Sequence, residues 1–242
     1  MSQYCKTIVF INSFDNYLEN DKSFIEENKI EPIFLENLGH DFGMWQRALQ
    51  LYDTNNYDHI LLANDSCVLL QSLTAFFDWH KTSKPSFAGM INSYENAEHI
   101  QSYFTIYNQE AFAVLQKRFK TVGLVKDKRK LIKKYEIGLT QAMQKAKVKT
   151  ESFFKPDKNQ KTNPLFHTIP QLLESGFPFI KKQVFFNQLA AHDQAAFEAQ
   201  QINLSPSFIL PIIQKNCTAL QCNWIEIQQD IPQTDIKNCD VQ

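Results

Sequence analysis

Apolar residues come in short unbroken runs along this chain, and each run breaks into a polar cluster. The first are TIVFIN (Thr7 to Asn12), EPIFLEN (Glu31 to Asn37) and HILLAND (His59 to Asp65). Short runs with no 3.6-residue period read as buried strands. Between the second and third, Met44, Trp45, Ala48, Leu49 and Tyr52 recur at helical spacing, which predicts a helix over Gly43 to Tyr52. The same reading predicts helices over Leu69 to His80, Ala111 to Phe119 and Leu131 to Lys145. It predicts strands over Phe87 to Ile91, Ile100 to Tyr107 and Val148 to Phe154, then a short helix ending at LLESG before PFIKK (Pro178 to Lys182). Strands alternating with helices predict an α/β fold, a mostly parallel sheet flanked by helices. Beyond about Phe186 the chain turns rich in Gln and Asn with scattered apolar positions. The expected organisation is a main domain over 1–186 and a C-terminal appendage over 187–242, helical with a loose tail.

Composition sharpens this picture in a few places. With 242 residues, 43% of them hydrophobic, the chain can bury a substantial core, and 20 Phe and 8 Tyr argue against disorder. A net charge of −1 offers no global attraction to nucleic acid, so no nucleic-acid partner is expected. Local charge differs: Lys117 to Lys134 holds nine basic residues against one acidic, Asp127, which makes an anionic membrane surface a candidate contact. A solvated helix face is the other reading of that run. The first apolar run is too short for a signal-peptide core, and no stretch of about 18 apolar residues is present. The expectation is a cytoplasmic protein, at most peripheral on the inner face of the membrane. Five scattered cysteines (Cys5, Cys67, Cys217, Cys222, Cys239) suit reduced thiols there, and the Cys217/Cys222 pair lacks the partners of a zinc site.

Polar clusters at strand ends are where open α/β sheets carry ligand chemistry. Asn37, Gly39, Asp41 and Gly43 lie between the second strand and its helix; two glycines let backbone N–H groups approach an anionic or sugar ligand, and Asp41 can accept from a ribose or base. A helix entry with an Asp cap explains them equally well. Asn64, Asp65 and Ser66 end the third strand, where a hard oxygen ligand suits a divalent ion; the alternative is a cap for a helix starting near Val68. In EHIQSYF, strict alternation would put His99, Gln101 and Tyr103 on one strand face, lining a pocket or an exposed edge. Glu136, read as the start of the helix YEIGLTQAMQKA, is either a general base or a residue stabilised by the helix dipole.

Taken in order, NxGxD, LLxNDS, HIQSYF, YEIxLT and LLxxGxPFIKK resemble the rhamnan synthesis protein F family of bacterial glycosyltransferases, over about Thr7 to Phe186. More distantly the chain is similar to GT-A (Rossmann-like) glycosyltransferases. The resemblance implies a GT-A-like domain in which Asp65 anchors Mg2+ or Mn2+ and Glu136 is the catalytic base. Asn37, Gly39, Asp41 and Asn64 would form the donor loop and its neighbourhood, His99, Gln101 and Ser102 would line the pocket, and Lys181 and Lys182 would lie near the diphosphate. One departure stands out: Ala63 or Asn64 occupies the place of the superfamily's first metal carboxylate.

The implied activity is inverting transfer of a sugar, L-rhamnose from dTDP-L-rhamnose, to a growing surface polysaccharide or lipopolysaccharide. The partners would be a nucleotide-sugar donor and a glycan or polyprenyl-diphosphate-linked acceptor. Two readings from other classes stay open here: an inactive GT-A-like module that binds glycan or a partner enzyme, favoured by the missing carboxylate, and a nucleotide-binding hydrolase.

Overall fold

The computed structural model describes residues 4–13 and 19–185, so the expected appendage, with Cys217, Cys222 and Cys239, lies outside the described residues. The described residues divide into two compact units, one of those up to 65 together with 74–163, the other of 66–73 together with 164–185.

In the first unit, β1 (Val9–Asn12) and β2 (Glu31–Phe34) form a parallel pair, joined through α1 (Glu19–Glu27). Next come α2 (His40–Ala48), extended by a 3-10 turn over Leu49–Leu51, and β3 (His59–Ala63). The second unit takes β4 (Cys67–Leu69), and the chain returns to the first through α3 (Thr74–Ser83), β5 (Phe87–Ser93), β6 (His99–Ile100) and β7 (Phe104–Asn108). There follow α4 (Gln109–Val122), α5 (Lys128–Leu131), a π-helical turn over Ile132–Ile137, α6 (Gly138–Lys145) and β8 (Thr150–Phe154).

The central sheet is mixed. β7 lies antiparallel to both β3 and β5, β6 lies antiparallel to the far end of β5, and β8 runs parallel to β5 on its other edge. Only the β5–β8 pair needs a helical crossover, and α4 to α6 supply it. The expected α/β architecture, a sheet with flanking helices, is the one observed. β5 is buried along almost its whole length, as an inner strand with neighbours on both edges must be. Phe42, Trp45, Leu62, Phe87, Tyr107, Phe112, Leu115, Tyr135 and Met143 join sheet and helices in one core. Burial on this scale, at about 25 cal/mol per Å² of apolar surface, is the main force holding the sheet and its helices together.

Three local expectations are corrected. Leu69 belongs to a strand and not to a helix over Leu69 to His80, because its ladder partner is Phe179 of the second unit; the helix starts only at Thr74. The long strand over Ile100 to Tyr107 is interrupted by a turn at Ser102 and Tyr103, so alternation does not set the directions of His99, Gln101 and Tyr103. The helix bearing Glu136 starts at Lys128, where the Asp127 side chain accepts from the Lys130 N–H at 2.8 Å. Glu136 therefore lies well inside a helical run, and the dipole of a first turn has no part in its environment.

The second unit pairs β4 antiparallel with β9 (Phe179–Lys181), the register matching Cys67 with Lys181 and Leu69 with Phe179. Two short helices, α7 (Pro164–His167) and α8 (Ile169–Glu174), precede β9, and α9 (Lys182–Phe185) follows it. Leu70, Leu165, Ile169, Leu173, Phe177 and Ile180 are among its buried apolar residues.

Candidate active site

The glycines of the NxGxD loop serve the chain itself. Gly39 sits at φ 80°, a left-handed conformation that glycine adopts without strain, and forms the entry to α2. A Cβ on Gly43 would lie 1.9 Å from the Leu38 carbonyl oxygen, so Gly43 is required for the loop to pack on the helix it opens. This geometry aims Asp41, in the first turn of α2, at the end of β3: the Asn64 side-chain amide donates to Asp41 Oδ2 at 2.7 Å. Asn64 is fixed in turn by its backbone N–H, which donates to the Tyr103 carbonyl at 3.1 Å.

The turn at Ser102 and Tyr103 is thus one junction, and Glu136 meets it from the other side. Ser102 Oγ donates to Glu136 Oε1 at 2.9 Å, and His99 Nε2 stands 3.9 Å from Glu136 Oε2, too far for a hydrogen bond. His99 is buried while the Glu136 side chain keeps about a quarter of its surface exposed, 24%. His99 Nδ1 lies 2.8 Å from the Ala97 carbonyl, which can only accept, so Nδ1 carries a proton and Nε2 is the nitrogen turned to Glu136.

The π-helical turn explains how Glu136 reaches this place. Its neighbour Tyr135 is driven into the core, stacked on Phe42 at 4.8 Å and donating from its hydroxyl to the Gly123 carbonyl at 2.6 Å. Burial pushes the Tyr135 phenol up, with the Arg118 charge opposing. Arg118 donates to the Lys134 carbonyl through Nε, at 2.9 Å, and through Nη2. These contacts tie α4 to the widened turn. One position on, Glu136 faces the junction. Thr140 then ties helix to strand: its hydroxyl accepts from the Ile100 N–H at 3.1 Å and donates to the Glu136 carbonyl at 3.4 Å.

Asp41, Asn64, His99, Ser102 and Glu136, read from four separate motifs, are therefore gathered in the first unit. Gln101 is also placed there, but its amide donates to Asn163 Oδ1 at 2.9 Å. Asn37 and Asp65 are exposed, and Asn37 joins none of these bonds. Among the described residues no three His, Cys, Asp or Glu side chains converge as a metal cage. Lys181 and Lys182 belong to the second unit, where Lys181 Nζ donates to Ser66 Oγ at 3.0 Å and the Lys182 N–H to the Ser66 carbonyl at 3.0 Å. The sequence reading missed Thr140 and Asn163. Thr140 had a signal, since a residue four beyond Glu136 shares its helix face; Asn163, at the end of a polar loop, had none.

No helix among the described residues is long and apolar enough to cross a membrane. A comparison with curated proteins gave no match. The family comparison did: the motifs gathered around Glu136 lie within residues 8–225, which match the model of rhamnan synthesis protein F, and the chain belongs to that family, with the role in rhamnan synthesis that membership implies.

Proposed function

We propose that this chain is an inverting, GT-A-like hexosyltransferase that moves L-rhamnose from dTDP-L-rhamnose to the hydroxyl of a growing surface polysaccharide, with Glu136 as the base. The observation that carries this is a half-buried carboxylate held by Ser102 and faced by His99, at the junction of four motifs. In the transfer, the acceptor oxygen bonds to the anomeric carbon as its proton passes to Glu136 Oε2. The bond from that carbon to the donor's diphosphate oxygen breaks, and the nucleoside diphosphate departs with the electron pair. Ser102 keeps Oε1 occupied, so that the oxygen facing His99 is the one left for the proton. His99, with its proton on Nδ1, is the next acceptor along the same line.

Asp65 suits Mg2+ or Mn2+ as one hard, exposed oxygen ligand of an ion that completes its shell with donor phosphates and water; such ions are commonly held by only one or two carboxylates. When bound, the ion would neutralise charge on the leaving diphosphate. Lys181 and Lys182 are proposed as diphosphate-binding cations on the strength of the PFIKK motif alone.

The test is turnover with dTDP-L-rhamnose and an oligosaccharide acceptor, with and without chelator. Glu136→Gln should cost about 10²–10⁴ in kcat with donor affinity unchanged. Near wild-type transfer by that variant would remove Glu136 from the mechanism. Asp65→Asn should weaken Mn2+-dependent donor binding and activity together, and full activity in excess chelator would remove the metal.

A further inference from the structure

A cleft of about 530 Å³ opens in the first unit, lined by Tyr94, Asn96, Ala97, Glu98, Lys158 and Lys161. Its size is in the range of small-molecule sites. One wall is the turn between β5 and β6, held by the Glu95 N–H to Ser93 Oγ at 3.2 Å and the Ala97 N–H to the Glu95 carbonyl at 2.7 Å. In that turn Asn96 adopts φ 61° and is exposed. The other wall is the polar loop between β8 and α7. Lys161 Nζ donates to the Lys158 carbonyl at 3.0 Å and stands 5.7 Å from the centre of the Tyr94 ring, so its ammonium is positioned before any ligand arrives. An ammonium has three donors, which leaves others to be directed at a ligand.

We propose that this cleft holds a negatively charged saccharide unit of the acceptor, its charge on Lys158 and Lys161 and its hydroxyls on Asn96 and Glu98. Two ammoniums against one carboxylate give the lining an excess of positive charge, and donors and acceptors side by side suit a polyhydroxylated ligand. Both walls are anchored to the segment that faces Glu136. Ala97 accepts from His99, whose other nitrogen looks at the Glu136 carboxylate, and Asn163, at the end of the loop bearing both lysines, accepts from Gln101. A chain seated in the cleft is thereby a neighbour of the proposed base. The inference rests on the transferase reading for its word acceptor, but the binding itself does not.

The experiment is calorimetric titration of the full chain, without donor, against glucose 1-phosphate, glucuronate, methyl glucoside and inorganic phosphate. The two anionic sugars should bind at least about tenfold tighter than methyl glucoside, a preference that the Lys158→Gln, Lys161→Gln double variant should abolish. Whichever anionic sugar binds more tightly identifies the charge as phosphate or carboxylate. Equal binding of neutral and anionic sugars, or a preference that survives the double variant, overturns the proposal; so does inorganic phosphate binding as tightly as glucose 1-phosphate. Glu136→Gln should leave the titrations unchanged. If that variant also transfers sugar normally, the transferase assignment of Glu136 falls while the cleft stands.

Discussion

Gly43→Ala is the substitution through which the fold and the site can be tested together. A Cβ at this position would start 1.9 Å from the Leu38 carbonyl oxygen and 3.1 Å from Leu124 Cδ2, whereas real Cβ contacts are not found under 3.0 Å. The oxygen is backbone and cannot swing aside, so the first turn of α2 must move against the loop. Overpacking of this kind costs about 1–3 kcal/mol, and the better helix propensity of Ala returns about 1. Moving the turn also displaces Asp41 from Asn64, a bond made at 2.7 Å at an exposed position, where a loss of about 1 kcal/mol is reasonable. The net is roughly 1–3 kcal/mol, a Tm fall on the order of 3–10 °C for a unit of this size, together with weaker donor binding. Gly138→Ala is the control. Its Cβ would meet the Lys133 carbonyl oxygen at 3.1 Å and Arg118 Nη2 at 2.1 Å, a side-chain end that can move at the cost of its bond to the Lys134 carbonyl, a cost that the helix propensity of Ala offsets in large part, so its Tm should fall by no more than about 3 °C. Differential scanning calorimetry of both variants is the assay. A Gly43→Ala chain as stable as wild type, or less perturbed than Gly138→Ala, would refute the packing argument and with it the placement of Asp41.

Ser102→Ala should lower kcat about tenfold or more with donor affinity unchanged, because it removes a hydrogen bond to a carboxylate; an unaltered kcat in steady-state assays would show that Ser102 does not hold the base. His80 is buried in a cluster of Phe76, Trp79 and His59, and burial, with His59 adding to it, pushes its pKa below the ordinary 6.5. The folded state therefore takes up the proton less readily than the unfolded chain, so its contribution is present above about pH 6.5 and is lost as pH falls toward the depressed value. His80→Phe should flatten the fall in Tm between about pH 7.5 and 5, and parallel curves would count against this. The exposed cations Lys126, Lys128, Arg129 and Lys130 flank Leu124, an apolar side chain left 46% exposed; replacing the four by Gln should abolish co-sedimentation with anionic vesicles, at about 1 kcal/mol each, and unchanged binding would make this a solvated face.

The parts of the fold that were legible in the sequence are those decided by near neighbours. ILLA and FAGMI are continuous apolar runs and form β3 and β5: burial on both faces of β5 leaves no room for polar positions, while β3, at the edge of the sheet beside β7, is fully buried only at Leu62. Helix α4 follows from apolar spacing, with Asn108 capping the Ala111 N–H at 3.0 Å. The errors have one physical origin, a backbone or polar group taken by a partner far along the chain. EHIQSYFTIYN has the composition of one long strand, yet it bends at Ser102 and Tyr103, where Asn64 binds the Tyr103 carbonyl and Ser102 reaches Glu136, 34 residues away. KRKLIKKYEIGLT has the composition of an ordinary helix, yet it opens into a π turn where Phe42 and Gly123 take Tyr135 inward and Arg118 takes the Lys134 carbonyl.

The two irregularities meet. The bend in the strand presents Ser102, the widened turn presents Glu136, and the hydrogen bond between them is the centre of the candidate site. Local propensity, which favours a straight strand and a uniform helix, is overridden in both elements at the point where they carry polar side chains toward each other. Such a departure costs free energy and persists only where surrounding contacts over-determine it. Here the surrounding contacts are those of Tyr135, Arg118, Thr140 and Asn64. The residue types of the site could therefore be read from motifs, while the geometry that would make a base of Glu136 depends on the side chains of Tyr135, Arg118 and Thr140 and on the backbone N–H of Asn64.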